Sequence, residues 1–377
     1  MGSEIIVVIV VATALIFDFT NGFHDTANVV ATSISTRAMP PRIAVGYASI
    51  LNFVGAFISL EVAATVAKDV VSVNTNSIGL LAVFAGLVGA IAWNLITWYF
   101  GLPSSSSHAL IGGMVGAVFV AEGPENVFFQ EGILGKVMVP ALVAPVLAFI
   151  VGGLAIVFLY RITGRLRPGP VTGGFRFGQV LSGGLLALAH GTNDAQKTMG
   201  VITLALVANG TIAADNFHVP DWVVVSAATA IALGTYVGGW RIIRTMGSRI
   251  HKMDAAQGFA AQGAGSTVIL AASHVGFPLS TTHTISGAVI GSGAAKRLSA
   301  VRWGVAGNIV VAWILTLPAA AIIGGVTFLI TRVFGTGALG PIVVSAAILI
   351  GSVILFVRRS REGAAPGVVP ATGSTLT

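Results

Sequence analysis

Of the chain's 377 residues, 55% are hydrophobic and only 9% charged, and the mean hydropathy is +0.92. A soluble domain carries about 25% charged residues, so this chain cannot cover a globule with polar surface and reads as an all-α polytopic membrane protein. Without cysteine, disulfides, thiolate nucleophiles and thiolate metal sites are excluded, and the net charge of +7 must be placed before it is read as binding anything.

The opening run from Ile5 to Ile16 continues into Asp18 and more apolar sequence. With no small-residue cleavage site, it is expected to be a first membrane segment rather than a signal. From Glu4 to Ser35 the only polar interruption is NGFHDTAN, Asn21 to Asn28. One straight helix of that length, at ~1.5 Å per residue, would overrun a ~30 Å hydrocarbon core, so a break at Asn21-Gly22 is expected. Next come a span from Arg42 to Val66, an apolar stretch from Ile78 to Val120 split by GLPSSSSHALIGG (Gly101 to Gly113), and a span from Val137 to Tyr160. Gln179 to Val207 is again overlong, around HGTNDAQK, His190 to Lys197. Then follow Trp222 to Trp240, Phe259 to Ala295 split by GFPLSTTHTISGA (Gly276 to Ala288), Trp303 to Leu329, and an unpaired last span, Ile342 to Val357. Tryptophans near the span ends (Trp93, Trp98, Trp222, Trp240 and Trp303) suit an aromatic belt.

Two motifs recur in the same order, so the chain is a duplication. Gly22 and Asp25 align with Gly191 and Asp194; Gly101, Pro103, Ser105, His108 and Gly112 align with Gly276, Pro278, Ser280, His283 and Gly287. Basic residues gather around Arg37, Arg161 to Arg176, Arg241 to Lys252, Lys296 to Arg302, and Arg358 to Arg361. Threading the spans puts all five clusters on one side and the acidic connections at Glu122 to Glu131 and Asp215 to Asp221 on the other. By the positive-inside rule the N-terminus is then outside, the C-terminus is cytoplasmic, and the repeat is inverted. The basic charge is thus topological, although Arg161 to Arg176 also suit anionic lipid. The expected architecture is two inverted-topology repeats with broken transmembrane helices and re-entrant or paired hairpin segments. Its parts are a first repeat (1–160), a basic cytoplasmic connection (161–177), a second repeat (178–335), a final transmembrane helix (336–360) and a disordered tail (361–377).

An Asp at mid-membrane is expensive, which makes Asp25 and Asp194 functional candidates, although each could also cap a half-helix. Asp18 is equally open to a structural or a functional reading. The serine motifs resemble anion cradles. After Pro103 and Pro278, Ser104, Ser105, Ser106 and Ser107 in one copy, and Ser280, Thr281 and Thr282 in the other, lead into Gly-dotted helices. A helix starting there aims free N–H groups and hydroxyls at what lies beyond. Of the motif histidines His24, His108, His190 and His283, none shows metalloenzyme spacing. His24, beside Asp25, is the better candidate for a protonatable group.

The doubled G-x-[NH]-D motif together with the doubled P-x-S-[ST]-[ST]-H motif resembles the inorganic phosphate transporter family over essentially the whole chain except the tail. His24 and the pair Gln196-Lys197 depart from the commoner pattern, in the manner of its bacterial low-affinity phosphate permease branch. The resemblance implies proton symport, in some relatives of a neutral metal–phosphate complex; other members use sodium and a few carry sulfate. It also implies a homodimer, and roles in substrate or ion binding for Asp25, Asn28, Asp194 and the hydroxyl-bearing tips. Lys197, where a neutral residue is usual, tells against a sodium site at that position.

The expected function is therefore secondary active import of phosphate by alternating access, in the plasma membrane of a prokaryote. Ser104 to Ser107, Ser280, Thr281, Thr282, Asn28, Asn193 and Lys197 are expected to bind phosphate, and Asp25, Asp194, His24 and Asn21 the coupling proton or ion. Asp25 and Asp194 would hold any metal. No tightly bound cofactor or nucleic acid is expected; H+, or alternatively Na+, travels with phosphate, together with Mg2+ or another divalent metal where the cargo is a metal complex. Charge supports coupling without the resemblance. Two like charges ~4 Å apart repel by about 4 kcal/mol at an effective dielectric near 20, so two carboxylates and an anion need a cation. An intramembrane hydrolase using Ser106 or Ser107 with His108 is disfavoured, because sequence neighbours at a helix start face each other poorly. A passive anion channel would leave the paired aspartates unexplained.

Overall fold

The computed structural model describes residues 2–362, and these form thirteen α-helices with short 3-10 and π turns between them. The first copy holds α1 (Gly2–Ser35), α2 (Pro41–Gly55), α3 (Glu61–Lys68), α4 (Ser77–Phe100), α5 (Ser106–Glu122) and α6 (Val139–Thr163). The second holds α7 (Pro168–Ala208), α8 (Asp221–Val237), α9 (Trp240–Arg244), α10 (Ala255–His274), α11 (Thr281–Lys296) and α12 (Trp303–Val333). The expected last span lies inside α13 (Leu339–Glu362), and all of the expected tail beyond residue 362 falls outside the described residues.

The break expected at Asn21-Gly22, and its counterpart in HGTNDAQK, are not there. α1 and α7 run unbroken through both motifs, so Asp25 and Asp194 lie in helix interiors and cap nothing. The glycines serve close approach instead. A Cβ on Gly22 would stand 2.3 Å from the Ile231 carbonyl of α8, and one on Gly191 would stand 2.1 Å from the Asn52 carbonyl of α2. The copies are therefore interlocked, with α1 of the first against α8 of the second and α7 against α2. Excess length in α7 is taken up at its start, where Pro168 to Gly174 are largely exposed. Helix thus begins within the stretch expected to be a basic connection.

The interruptions fall one helix later. The single span expected from Arg42 to Val66 is divided between α2 and α3. The span ending at Trp240 bends by 59° between α8 and the following Trp240–Arg249 segment, where Gly238 takes a left-handed φ of 75°. Gln196 makes the first of these breaks tolerable, because its Oε1 accepts the N–H groups of Val62 (2.8 Å) and Ala63 (3.3 Å) that open α3. Free helix-end amides need such partners in a medium without water.

Each serine motif turns a hairpin. Gly101 and Gly276 adopt left-handed φ values of 67° and 77°, reversing the chain at the ends of α4 and α10. Ser105 and Ser280 then cap α5 and α11, accepting the N–H of His108 (3.1 Å) and His283 (3.2 Å). The Glu122 carboxylate accepts the Asn74 N–H at 3.1 Å, and Lys296 reaches Asp254 at 3.0 Å, so each hairpin closes at its base. The tips meet, with Ser107 Oγ donating to the Leu279 carbonyl at 3.1 Å and the His108 and His283 rings 4.7 Å apart edge to face. α12 clasps α5 and α6 clasps α11 through equivalent glycines: a Cβ on Gly112 would meet the Leu317 carbonyl at 2.4 Å, and one on Gly287 the Pro145 carbonyl at 2.3 Å. On their outer faces α6 and α12 expose Leu142, Leu154, Phe158, Ile314 and Ile322, the surface a lipid-facing layer requires.

Candidate functional site

The hairpin tips arrive beside the motif stretches of α1 and α7, and everything there is sealed from solvent. Asp25 is 2% exposed, Asp194 0%, Lys197 1% and His24 1%, and the hydroxyl-bearing tip residues from Ser104 to Ser107 and Ser280 to Thr282 are equally buried. Helical spacing explains the convergence. Asp25 and Asn28 share one stripe of α1, and His190, Asp194 and Lys197 share one stripe of α7.

Asp25 Oδ1 lies 2.7 Å from His24 Nδ1, and the Thr282 hydroxyl donates to it at 3.4 Å. The other His24 nitrogen, Nε2, lies 3.1 Å from Thr97 Oγ1 and 3.4 Å from Ser104 Oγ, which ties the pair to the first hairpin. Asp194 forms a short ion pair with Lys197, accepts from the Thr281 hydroxyl at 3.2 Å and lies 3.1 Å from His190 Nε2. Lys197 also donates to Ser107 Oγ (2.6 Å) and to the Leu279 carbonyl (2.8 Å), so it contacts both tips. Asn28 Nδ2 donates to Thr282 (2.9 Å), as Lys197 does to the equivalent Ser107.

The expected site residues thus divide by what they touch. Asp25, Asp194, His24, Asn28, Lys197, Ser104, Ser107, Thr281 and Thr282 form one connected cluster. Ser105 and Ser280 lie at the tips but spend their oxygen lone pairs on caps. Ser106 Oγ and Asn21 Oδ1 are buried without a hydrogen-bond partner. The amide of Asn193 turns to Ser273 (2.8 Å) and the Phe277 carbonyl (3.3 Å), bracing the second hairpin as His24 braces the first. Sequence reasoning gave no role to Thr97, to the Leu279 carbonyl or to Gln196, whose positions follow only from the tertiary crossing. It also set the histidines aside as ligands, yet His190 and Asp194 stand at i and i+4 on one helix. Ligand atoms of Asp25, His190 and Asp194 lie within 4.8 Å of one another, close enough to share a small cation. The Lys197 ammonium competes for the same carboxylate. No nucleophile arrangement emerges from Ser107 and His108, because the Ser107 hydroxyl points to a carbonyl of the opposite tip.

The sequence profile of the phosphate transporter family matches the chain twice, over residues 21–173 and 165–324. A probable low-affinity inorganic phosphate transporter of Mycobacterium leprae is 49% identical over 353 residues, covering 94% of this chain and 84% of that protein. Its Bacillus subtilis counterpart is 41% identical over 326 residues, covering 86% and 97%. Among solved structures, "The sodium-dependent phosphate transporter" shares the fold with a TM-score of 0.74, at 24% identity, over 87% of this chain and 99% of that one. These relatives are transporters rather than enzymes, and both halves of this chain carry their motifs into one buried cluster. The chain belongs to the phosphate transporter family.

Proposed function

We propose that this phosphate transporter is a proton-coupled importer. Phosphate would bind between the two hairpin tips, where Ser104, Ser106, Ser107, Thr281, Thr282, Asn28 and Lys197 supply donors and α5 and α11 present their N-terminal ends. Asp25 with His24, and Asp194, set the charge balance. With Lys197 counted against the two aspartates, an incoming phosphate leaves the closed cluster net negative, and a dry site cannot hold that charge without a cation.

The observation that carries the proton reading is the asymmetry between Asn28 and Lys197. They hold equivalent tip hydroxyls, but one is a neutral amide and the other a fixed ammonium already seated on Asp194. A fixed positive charge there takes the place a mobile sodium would need, while the His24–Asp25 pair offers groups that exchange protons. The grouping of charges at the two ends supports the expected topology, with the basic end cytoplasmic. Arg176 reaches the Thr36 carbonyl at 3.2 Å, so the first two clusters share one end of the molecule; Lys68, at the end of α3, lies 4.6 Å from the Phe217 ring centroid in the Asp215 to Asp221 connection. Homodimerisation and carriage of a metal–phosphate complex belong to the same proposal.

Sodium coupling is the second reading, favoured by the carboxylates of Asp25 and Asp194 and by the sodium dependence named for the structural neighbour. One experiment separates the two. Purified protein in liposomes is given labelled phosphate under an imposed pH or sodium gradient, with and without magnesium and with sulfate as competitor. Accumulation that follows the pH gradient in sodium-free buffer is expected; accumulation that requires sodium would refute proton coupling.

A further inference from the structure

Asp18 is 0% exposed, yet neither carboxyl oxygen has a hydrogen-bond partner, and no part of the phosphate cluster uses it. It sits close to the middle of the 32-residue apolar span Glu4–Ser35. Three residues before Asn21 and seven before Asp25, it shares their stripe of α1, about two turns or ~10 Å nearer the N-terminal end. Across from it, α7 brings Thr198 and the two charged groups that face it, Asp194 and Lys197. α4 brings only Tyr99, in its last turn before Gly101, α8 brings Tyr236 in its last turn, and the one carboxylic acid of α8, Asp221, belongs to an exposed first turn. Arg241 and Arg244 of α9 enter beside the later part of α1, from Phe23 onward, and the histidines of the hairpin tips, His108 and His283, lie with the phosphate cluster.

Two neighbours of Asp18 are also unsatisfied. Asn21 Oδ1 and Thr198 Oγ1 are buried without a partner at hydrogen-bonding distance; the Thr198 hydroxyl and the Asn21 amide are the groups nearest the carboxyl that could donate to it, and both are neutral. A proton on Asp18 gives the Asn21 oxygen a donor and removes a charge that these neutral neighbours leave unbalanced, the one ammonium that faces it, Lys197, being paired with Asp194. Asp25 has His24 and Thr282, and Asp194 has Lys197, His190 and Thr281; of the three central carboxyls only Asp18 stands alone.

We infer that Asp18 is the carboxyl that carries the transported proton while the site is closed. It takes one H+ from the side where phosphate enters, crosses as the neutral acid, and releases that H+ on the side where phosphate leaves; no other bond is made or broken. The inference rests on the proton-coupled reading and names the proton's seat within it.

The test is D18N and D18E in liposomes, each measured for accumulation of labelled phosphate under a pH gradient and for exchange of labelled against unlabelled phosphate at equal pH. D18N fixes the group in its neutral shape. It is expected to keep exchange within a factor of about three of wild type while losing gradient-driven accumulation by ~tenfold or more, with D18E restoring it. If wild-type accumulation ignores the pH gradient, the proton-coupled reading itself fails. If wild type follows the gradient and D18N accumulates equally well, the role of Asp18 is overturned. Loss of exchange in a D18N protein that still melts as wild type does would also overturn it, making Asp18 part of the phosphate site. Should D18N fail to fold, the pH profile of accumulation in D18E decides: a displaced profile supports the assignment and a superimposable one rejects it.

Discussion

Lys197 donates to Ser107 Oγ at 2.6 Å, joining a helix of the second copy to the hairpin tip of the first. The same ammonium neutralises Asp194 and holds the Leu279 carbonyl of the other tip. Removing it alone strands a buried carboxylate. Lys197→Met is expected to cost about 3–5 kcal/mol of stability, whereas Lys197→Met with Asp194→Asn regains most of it, because the charges leave together. Thermal unfolding in detergent checks this. Equal melting of the single and double variants would mean that the pair does not balance itself as described.

Asp25 is expected to be dispensable for folding and, like Asp194, indispensable for accumulation; Asp194→Asn alone strands the buried Lys197 ammonium, so that variant is expected to lose stability as well. Asn keeps the size and one acceptor oxygen, so Asp25→Asn leaves His24 and Thr282 with a partner. Concentrative uptake should nevertheless fall to background in Asp25→Asn and Asp194→Asn, read against protein recovered in monodisperse form. Full uptake in either variant would remove that carboxylate from coupling.

The sequence made the membrane class, the duplication and the pairing of motifs legible because those depend on composition and on residues repeated in register. Gly101 and Gly276 could be matched by position, and both take the left-handed turn their motifs imply. The expected break at Gly22 failed for a physical reason. Glycine in an apolar stretch serves equally for a kink and for a close crossing, and only the neighbour decides which; here it is the Ile231 carbonyl. Asn193 illustrates the same limit within the site. Its place in the motif suggested a substrate contact, but whether its amide faces the cluster or the turn before Phe277 depends on how α10 ends. Gln196 read as a departure from the family pattern, and its use as the cap of α3 required knowing that the second span is interrupted.

Those crossings make a stability prediction independent of transport. Gly22→Ala and Gly191→Ala each place a methyl against a carbonyl at 2.3 Å and 2.1 Å, and neither backbone can retreat without opening an interlocked pair. Each is expected to cost about 1–3 kcal/mol, and the double variant is expected to depart from the sum, because Asn52 at one crossing donates to the Thr235 hydroxyl at the other (2.7 Å). Gly46→Ala, in α2 with no atom near the new methyl, should leave stability unchanged or raise it by up to ~1 kcal/mol. Melting temperatures that fail to separate the first two from the third would show that the helices do not meet so closely.

The serines of the first tip should divide by function although they are neighbours. Ser105 Oγ accepts the His108 N–H, so Ser105→Ala removes a helix cap and is expected to cost about 1 kcal/mol. Ser106 Oγ is buried with no partner, an arrangement that is costly unless something else enters to bond it. Ser106→Ala should therefore melt at or slightly above the wild-type temperature. Its KM for phosphate should rise by ~tenfold, the loss of one hydrogen bond to a charged group of about 1.5–3 kcal/mol being partly made up by its neighbours. The decisive measurement is the pair taken together: stability lost with KM held in the first variant, KM raised with stability held in the second. An Ser106→Ala protein that binds and transports phosphate like wild type would mean that the anion is held by Ser104, Ser107 and the opposite tip without that hydroxyl.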